Sequence, residues 1–308
     1  MNEGDPLREV FSAADIEGLR DGKRPGSGRK ATSRAIWLLT ESDWEPMRES
    51  LSRWLDAANV HSLEVQTEYV ARLREATRAW PRFCETMGEL AAGFFLQRQL
   101  GFTIRRPLSQ PDAGDKTPDF VIQAEGEVLN VEVKTLTNEV YPPGRNYCGP
   151  LPSRSPVIKK AIKKAVGQIE KRCSNLVVLA DWCNPPTSVK DITDALYGEL
   201  VMSMLIGQQG PIGDFCPDRL GDGRCKPGLN TRVGAVGVLR WLGGDDGVCR
   251  AWFCHNASAE YPITVKLLDP CPQLMADDEG KAVWRNEPVL GHQIAQHPDK
   301  VQRCATAI

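Results

Sequence analysis

Asp119 and the run Glu132-Val133-Lys134, with twelve residues between the two carboxylates, are the part of this chain whose residue types and spacing suit a chemical task. Successive side chains of a strand point to opposite faces, so Glu132 and Lys134 share one face while Val131 and Val133 point into the opposite layer. A hairpin between the two segments brings Asp119 beside them. Two carboxylates on one face, with the main-chain carbonyl of Val133 next to them, offer the hard oxygen donors that Mg²⁺ takes, with Mn²⁺ as its substitute. A neighbouring ammonium can orient an attacking water, and the set as a whole suits metal-assisted hydrolysis of a phosphodiester. The plainer alternative is an aspartate that opens a strand and a same-face Glu–Lys ion pair on a wet sheet.

The elements needed to position these residues can be traced in the pattern. Asp119 to Gln123 alternates polar and apolar residues, Gly126 marks a turn, and Val128 to Thr135 alternates again, which predicts a β-hairpin. A Pro/Gly-rich loop from Thr137 to Pro156 leads into a helix whose Ile158, Ile162, Ala165 and Ile169 form one apolar stripe. Around that stripe stand Lys159, Lys160, Lys163, Lys164, Lys171 and Arg172, with Glu170 the only acid among them. So many cations without matching acids favour contact with phosphates over a merely solvated face. Arg145 and Arg154 in the preceding loop either extend the track or are ordinary loop arginines. Leu176 to Ala180 is an unbroken apolar run, as in a buried central strand.

Upstream, Ser33 to Val60 and Leu63 to Leu100 carry helical periodicity, with Trp37, Trp44, Trp54 and Trp80 at core positions, and Gly101 supplies a stop. Downstream, Asp191 to Ile206 reads as a helix, Gly207 to Thr231 as a long loop, and Val233–Trp241 with Val248–His255 as a second hairpin. The stretch after Pro270 carries no pattern. Two other (D/E)-x-K runs, Asp21-Gly22-Lys23 and Glu279-Gly280-Lys281, have Gly at the centre and lie outside any strand pattern, so strand context singles out Glu132.

The Pro118-Asp119 … Glu132-Val133-Lys134 motif and its flanking elements resemble the PD-(D/E)XK nuclease superfamily, whose restriction-endonuclease-like core is a helix, three strands, a helix and a strand. The resemblance covers residues 81 to 182. It implies a first helix at Pro81–Leu100, a first strand at Phe102–Pro107, the hairpin, a second helix at Val157–Arg172 and a last strand at Leu176–Ala180. It makes Asp119 and Glu132 the metal ligands and Lys134 the residue that places the water. It adds a helix glutamate, best matched by Glu89 with Glu85 as the rival, that joins the metal shell directly or through water. Gln168 matches a helix glutamine of some members, but Arg172 stands where those members carry Tyr.

The expected architecture is therefore α/β, a central mixed β-sheet flanked by helices with an αβββαβ core and an N-terminal all-helical extension. Residues 1–33 would form a flexible basic arm, 34–80 the helical region, 81–270 the nuclease-like domain and 271–308 a tail. The expected function is a Mg²⁺-dependent nuclease cutting DNA, as an endonuclease. A ribonuclease with the same site and an inactive nucleic-acid-binding protein of the same fold are the alternatives. Nucleic acid is the expected partner, DNA ahead of RNA, and a homodimer is compatible with the reading.

Composition bounds the rest. The 308 residues suffice for a large core, and 38 Lys plus Arg against 40 Asp plus Glu exclude a global basic field, so any polyanion site must be a local patch. No apolar run approaches the length of a membrane span, and the first residues lack a secretory pattern, from which a cytoplasmic protein without membrane contact is expected. Ten scattered cysteines without a Cys-x-x-Cys pair suit reduced, packed thiols. Zinc held by Cys216, Cys225, Cys249 and Cys254-His255 is the rival reading of those residues. Neither a phosphate-cradling loop nor a dinucleotide fingerprint occurs.

Overall fold

Apolar residues spaced by three and four put Met47, Leu51, Trp54, Leu55 and Ala58 on one buried face of α1 (Glu45–Asn59), and Val65, Tyr69, Leu73 and Ala76 on one face of α2 (Leu63–Ala76). The structure is a computed structural model. It describes residues 11, 38, 44–59, 63–77, 79–105, 117–124, 126–137, 153–169, 172–183, 186–198, 200–207, 210–219, 224, 230–242, 247–276 and 282–286.

The helical stretch expected over Leu63–Leu100 is broken in two. Thr77 turns back onto the Arg74 carbonyl through both its N–H and its hydroxyl, and Pro81 sits in the first turn of α3 (Trp80–Phe94), where its missing N–H costs nothing. A π-helical turn, Phe95–Gln99, follows α3, and Gly101 at φ +73° redirects the chain.

The strands are β1 (Thr103–Arg105), β2 (Phe120–Ala124), β3 (Glu127–Leu136), β4 (Ser174–Asp181), β5 (Leu200–Gly207), β6 (Gly210–Arg219), β7 (Ala235–Trp241), β8 (Cys249–His255), β9 (Gln273–Ala276) and β10 (Ala282–Arg285). Between them lie α4 (Ser155–Val166) and α5 (Val189–Tyr197). One mixed eight-stranded sheet runs β1-β2-β3-β4-β7-β8-β9-β10, while β5 and β6 form a separate hairpin. The pairs β1–β2 and β2–β3 are antiparallel, and β3–β4 and β4–β7 are parallel. Gly126 at φ +84° makes the tight turn of the β2–β3 hairpin.

The sheet separates two cores, and the period of two assigns each strand residue to one of them. Leu129, Val131 and Val133 of β3, with Leu176 and Val178 of β4, pack against α1, α2 and α3. Val177 and Leu179 face the other way, onto Ile158, Ile162, Ala165 and Ile169 and onto Ile192, Ala195 and Leu196 of α5. Glu132 and Lys134 thus belong to the α4 side of the sheet, the phase that alternation predicts.

Several expectations are corrected. The helix expected over Asp191–Ile206 ends at Tyr197, because Gly198 adopts φ 94° and its N–H closes the last turn onto the Asp194 carbonyl. The residues beyond it are strand β5, and the expected loop Gly207–Thr231 contains its partner β6, the hairpin pairing Gly207 with Gly210. The cationic helix stops at Val166 instead of Arg172, capped at Gly167. The patternless stretch after Pro270 contributes β9 and β10, which extend the main sheet beyond β8. Short strands of four residues carry too few alternations to be read.

Candidate active site

β2 begins one residue after Asp119, and its pairing with β3 starts at Phe120–Val131. β3 continues five residues further, to Leu136, still paired with β4. Among the described residues, the β2-side edge of β3 has no strand partner from Glu132 onward, and Asp119 caps the gap: Val133 N–H donates to Asp119 Oδ2 at 2.7 Å. A strand residue turns its carbonyl to the same side as its N–H, so the Val133 carbonyl also faces this gap.

Lys134 Nζ makes a short ion pair with Glu132 Oε1 on the face they share. Glu132 is only 1% exposed, and its second oxygen, Oε2, is buried with no hydrogen-bond partner. Burial pushes the Glu132 carboxyl up, and the Lys134 ammonium offsets part of that. Asp119 is pushed up to about 7 by burial first and then by the nearby charges of Glu89 and Glu132, against the pull of the Val133 N–H and Lys134.

α3 reaches this point because Gly88 lies directly on the sheet. A β-carbon there would stand 2.6 Å from Thr135 Oγ1 and 2.9 Å from Ala180 Cβ, so only glycine permits the approach. The next residue, Glu89, faces the gap with Glu85 one turn away. Both line an open cleft of about 470 Å³ together with Asp119, Val133, Lys134 and Thr135. The opposite wall is α4, which contributes Lys160 and Lys164, one turn apart, and the cleft extends to Gln168 just beyond the helix end.

The structure thus brings together Asp119, Glu132, Val133, Lys134, Glu89, Gln168, Lys160 and Lys164. Lys159, Lys163 and Arg172 do not line the cleft, and Lys163 and Arg172 are exposed elsewhere. Lys171 and Arg145 lie outside the described residues. Arg154 is buried at the N-cap of α4, 7% exposed, so it is not part of an exposed cationic track. Trp44 and Trp54 are core residues and Trp80 stacks on Phe83, while Trp37 lies outside the described residues.

One residue of the site was missed by sequence reasoning. Arg72 of α2 holds Glu89 with two parallel hydrogen bonds, Nη1 to Oε2 at 2.6 Å and Nη2 to Oε1 at 2.5 Å. Its guanidinium carbon stands 5.5 Å from the centre of the Tyr69 ring. The only trace of this in the sequence is a cation beside the apolar stripe of α2, three residues after Tyr69, which is an ordinary feature of a wet helix.

A divalent cation fits these residues in a particular way. Among the described residues no group of three or more His, Cys, Asp and Glu side chains converges into a metal cage. Mg²⁺ does not require one, since it commonly keeps several waters and takes one or two protein carboxylates. The unpartnered Glu132 Oε2 and the charge-crowded Asp119 carboxylate are donors that lack a full complement of positive partners. Cys249 and Cys254 do not share one centre, since Cys249 faces the α1–α3 core and Cys254 the α4–α5 core, on opposite sides of the sheet, while Cys225 lies outside the described residues.

No family model, curated protein or solved structure matches this chain. Among the described residues, no helix is long and apolar enough to cross a membrane.

Proposed function

We propose that this protein is a divalent-metal-dependent phosphodiesterase of the PD-(D/E)XK type that cuts DNA endonucleolytically, with a restriction-endonuclease-like core formed by α3, β1, β2, β3, α4 and β4. The observation that carries the reading is the meeting of Asp119 with Glu132 and Lys134 at the point where β3 outruns β2, in a cleft whose far wall is the lysine face of α4. A solvated strand pair would not leave a carboxylate oxygen of Glu132 buried without a partner.

Asp119, Glu132 and the Val133 carbonyl would hold the cation, Mg²⁺ or Mn²⁺. When bound, it would screen charge on the phosphodiester and lower the pKa of water at the site. The remaining work belongs to the chain. The Val133 N–H fixes the Asp119 carboxylate, and Glu132 holds Lys134 Nζ where it can donate to the attacking water and keep its lone pair turned to phosphorus. Lys160 and Lys164 attract the phosphates on either side of the scissile bond, and Gln168 offers an amide at the end of the same wall. None of these contacts reads a base, so sequence preference would come from elements outside this cleft.

The test is cleavage of supercoiled plasmid and of labelled single- and double-stranded DNA and RNA in Mg²⁺, Mn²⁺ or EDTA. Wild type should cut DNA with either metal and not in EDTA, and Glu132→Ala and Lys134→Ala should each lose on the order of 100-fold or more in rate. Preferential cutting of RNA would move the substrate to the other sugar. Binding without cutting in either metal would overturn the enzymatic reading.

A further inference from the structure

Both carboxylate oxygens of Glu89 are used by one guanidinium that comes from outside the expected catalytic core. Arg72 lies on α2, in the N-terminal helical region, and its two-pronged contact with Glu89 is the geometry in which Arg binds a carboxylate best. The pair is well shielded, with Glu89 12% exposed and Arg72 31%. Tyr69, one turn back on the same helix, backs the guanidinium with its ring. Glu89 in turn is close enough to Asp119 and Glu132 for its charge to be felt by both.

With all groups ionised, Glu85, Glu89, Asp119 and Glu132 stand against Arg72, Lys134, Lys160 and Lys164 around the cleft, and Arg72 is the cation that takes both oxygens of Glu89. We propose that Arg72 is a positioning residue that takes up the carboxylate of Glu89, so that the cation site keeps Asp119 and Glu132 as its two protein carboxylates and Glu89 stays outside the metal shell. The inference rests on the metal-dependent reading above and departs from the resemblance, which places a helix glutamate in that shell. It gives the N-terminal helices a role at the site: they set its charge.

The measurement is the affinity of the full-length protein for Mn²⁺, by electron paramagnetic resonance of the free ion, with folding checked by circular dichroism. In Arg72→Met the Glu89 carboxylate is released toward the site, and Mn²⁺ should bind at least about fivefold more tightly than in wild type, with Arg72→Lys in between. In Arg72→Met/Glu89→Gln, which removes both charges together, affinity should return to within about threefold of wild type. If Glu89 is a direct ligand, the double variant loses about tenfold or more and Arg72→Met gains nothing, and either result overturns the proposal. The double variant leaves no unpaired charge, so it decides the question even where the single variant unfolds. Wild type that fails to bind Mn²⁺ at all, or binds it equally well as Asp119→Asn/Glu132→Gln, would overturn the metal-dependent reading itself and this inference with it.

Discussion

Asp119 shows at the scale of one side chain how a site can work against the fold that carries it. Its carboxyl is held at about 7, well above its ordinary value, by burial and by Glu89 and Glu132. The native protein therefore keeps a proton on Asp119 that the unfolded chain has already released, and the contribution of Asp119 to stability falls as pH rises from about 4 through about 7. Asp119→Asn removes that titration and can still accept from the Val133 N–H. In EDTA its melting temperature should exceed that of wild type by a margin that widens between about pH 4 and pH 7 and is then constant, as thermal melts across that range would read. For wild type, Mn²⁺ binding must displace the same proton, so affinity should climb with pH through about 7. Much of the site at this scale was legible in the sequence, because strand alternation fixes which side chains share a face. Arg72 was not, because its partner is seventeen residues away on another helix and no spacing rule links the two.

Helices and strands place these groups, and the tightest placement is Gly88. Gly88→Ala would put a methyl carbon within 2.6 Å of Thr135 Oγ1 and 2.9 Å of Ala180 Cβ, so α3 must move off the sheet and take Glu85 and Glu89 with it. A loss of about 1–3 kcal/mol in urea unfolding is expected, with a fall in cleavage rate that persists under conditions where the variant is fully folded. On the other wall, Lys160→Ala and Lys164→Ala should each weaken DNA binding and reduce the slope of log K against log salt by about one, in a Glu132→Gln background that blocks cutting. Lys163→Ala, which lies off the cleft, should change both by less. The hairpin and the α4 stripe were readable because their periods of two and of three to four run for several repeats. The helix end at Gly198 was not, since the apolar residues from Leu200 to Ile206 suit a buried helix as well as a strand and only the φ of one glycine separates the two.

Among the described residues, the eight-stranded sheet carries a separate apolar layer on each face. Cys249 and Cys254 sit in different layers although only four residues lie between them. Cys249→Ala and Cys254→Ala should therefore each cost about 1 kcal/mol in urea unfolding, and the double variant should show the sum to within about 0.5 kcal/mol, with no change in bound zinc by elemental analysis. Coupled costs, or zinc lost in both variants, would mean that the two thiols share a centre. Sequence periodicity located most strands of the sheet, but not the two hydrogen bonds that tie α1 to residues almost two hundred positions further on.

Those contacts have a consequence for biosynthesis. Trp54 of α1 donates to the carbonyl of Gly247, and Trp241 donates to Ser50 Oγ, separations of 193 and 191 residues. At a translation rate of about 5–20 residues per second, the ribosome needs roughly 10–40 seconds after making α1 before its partners exist. During that interval α1 can already pack on α2 and α3, which follow it in the chain, but the Trp54 indole N–H and Ser50 Oγ lack these two partners until the chain has been made as far as Trp241 and Gly247.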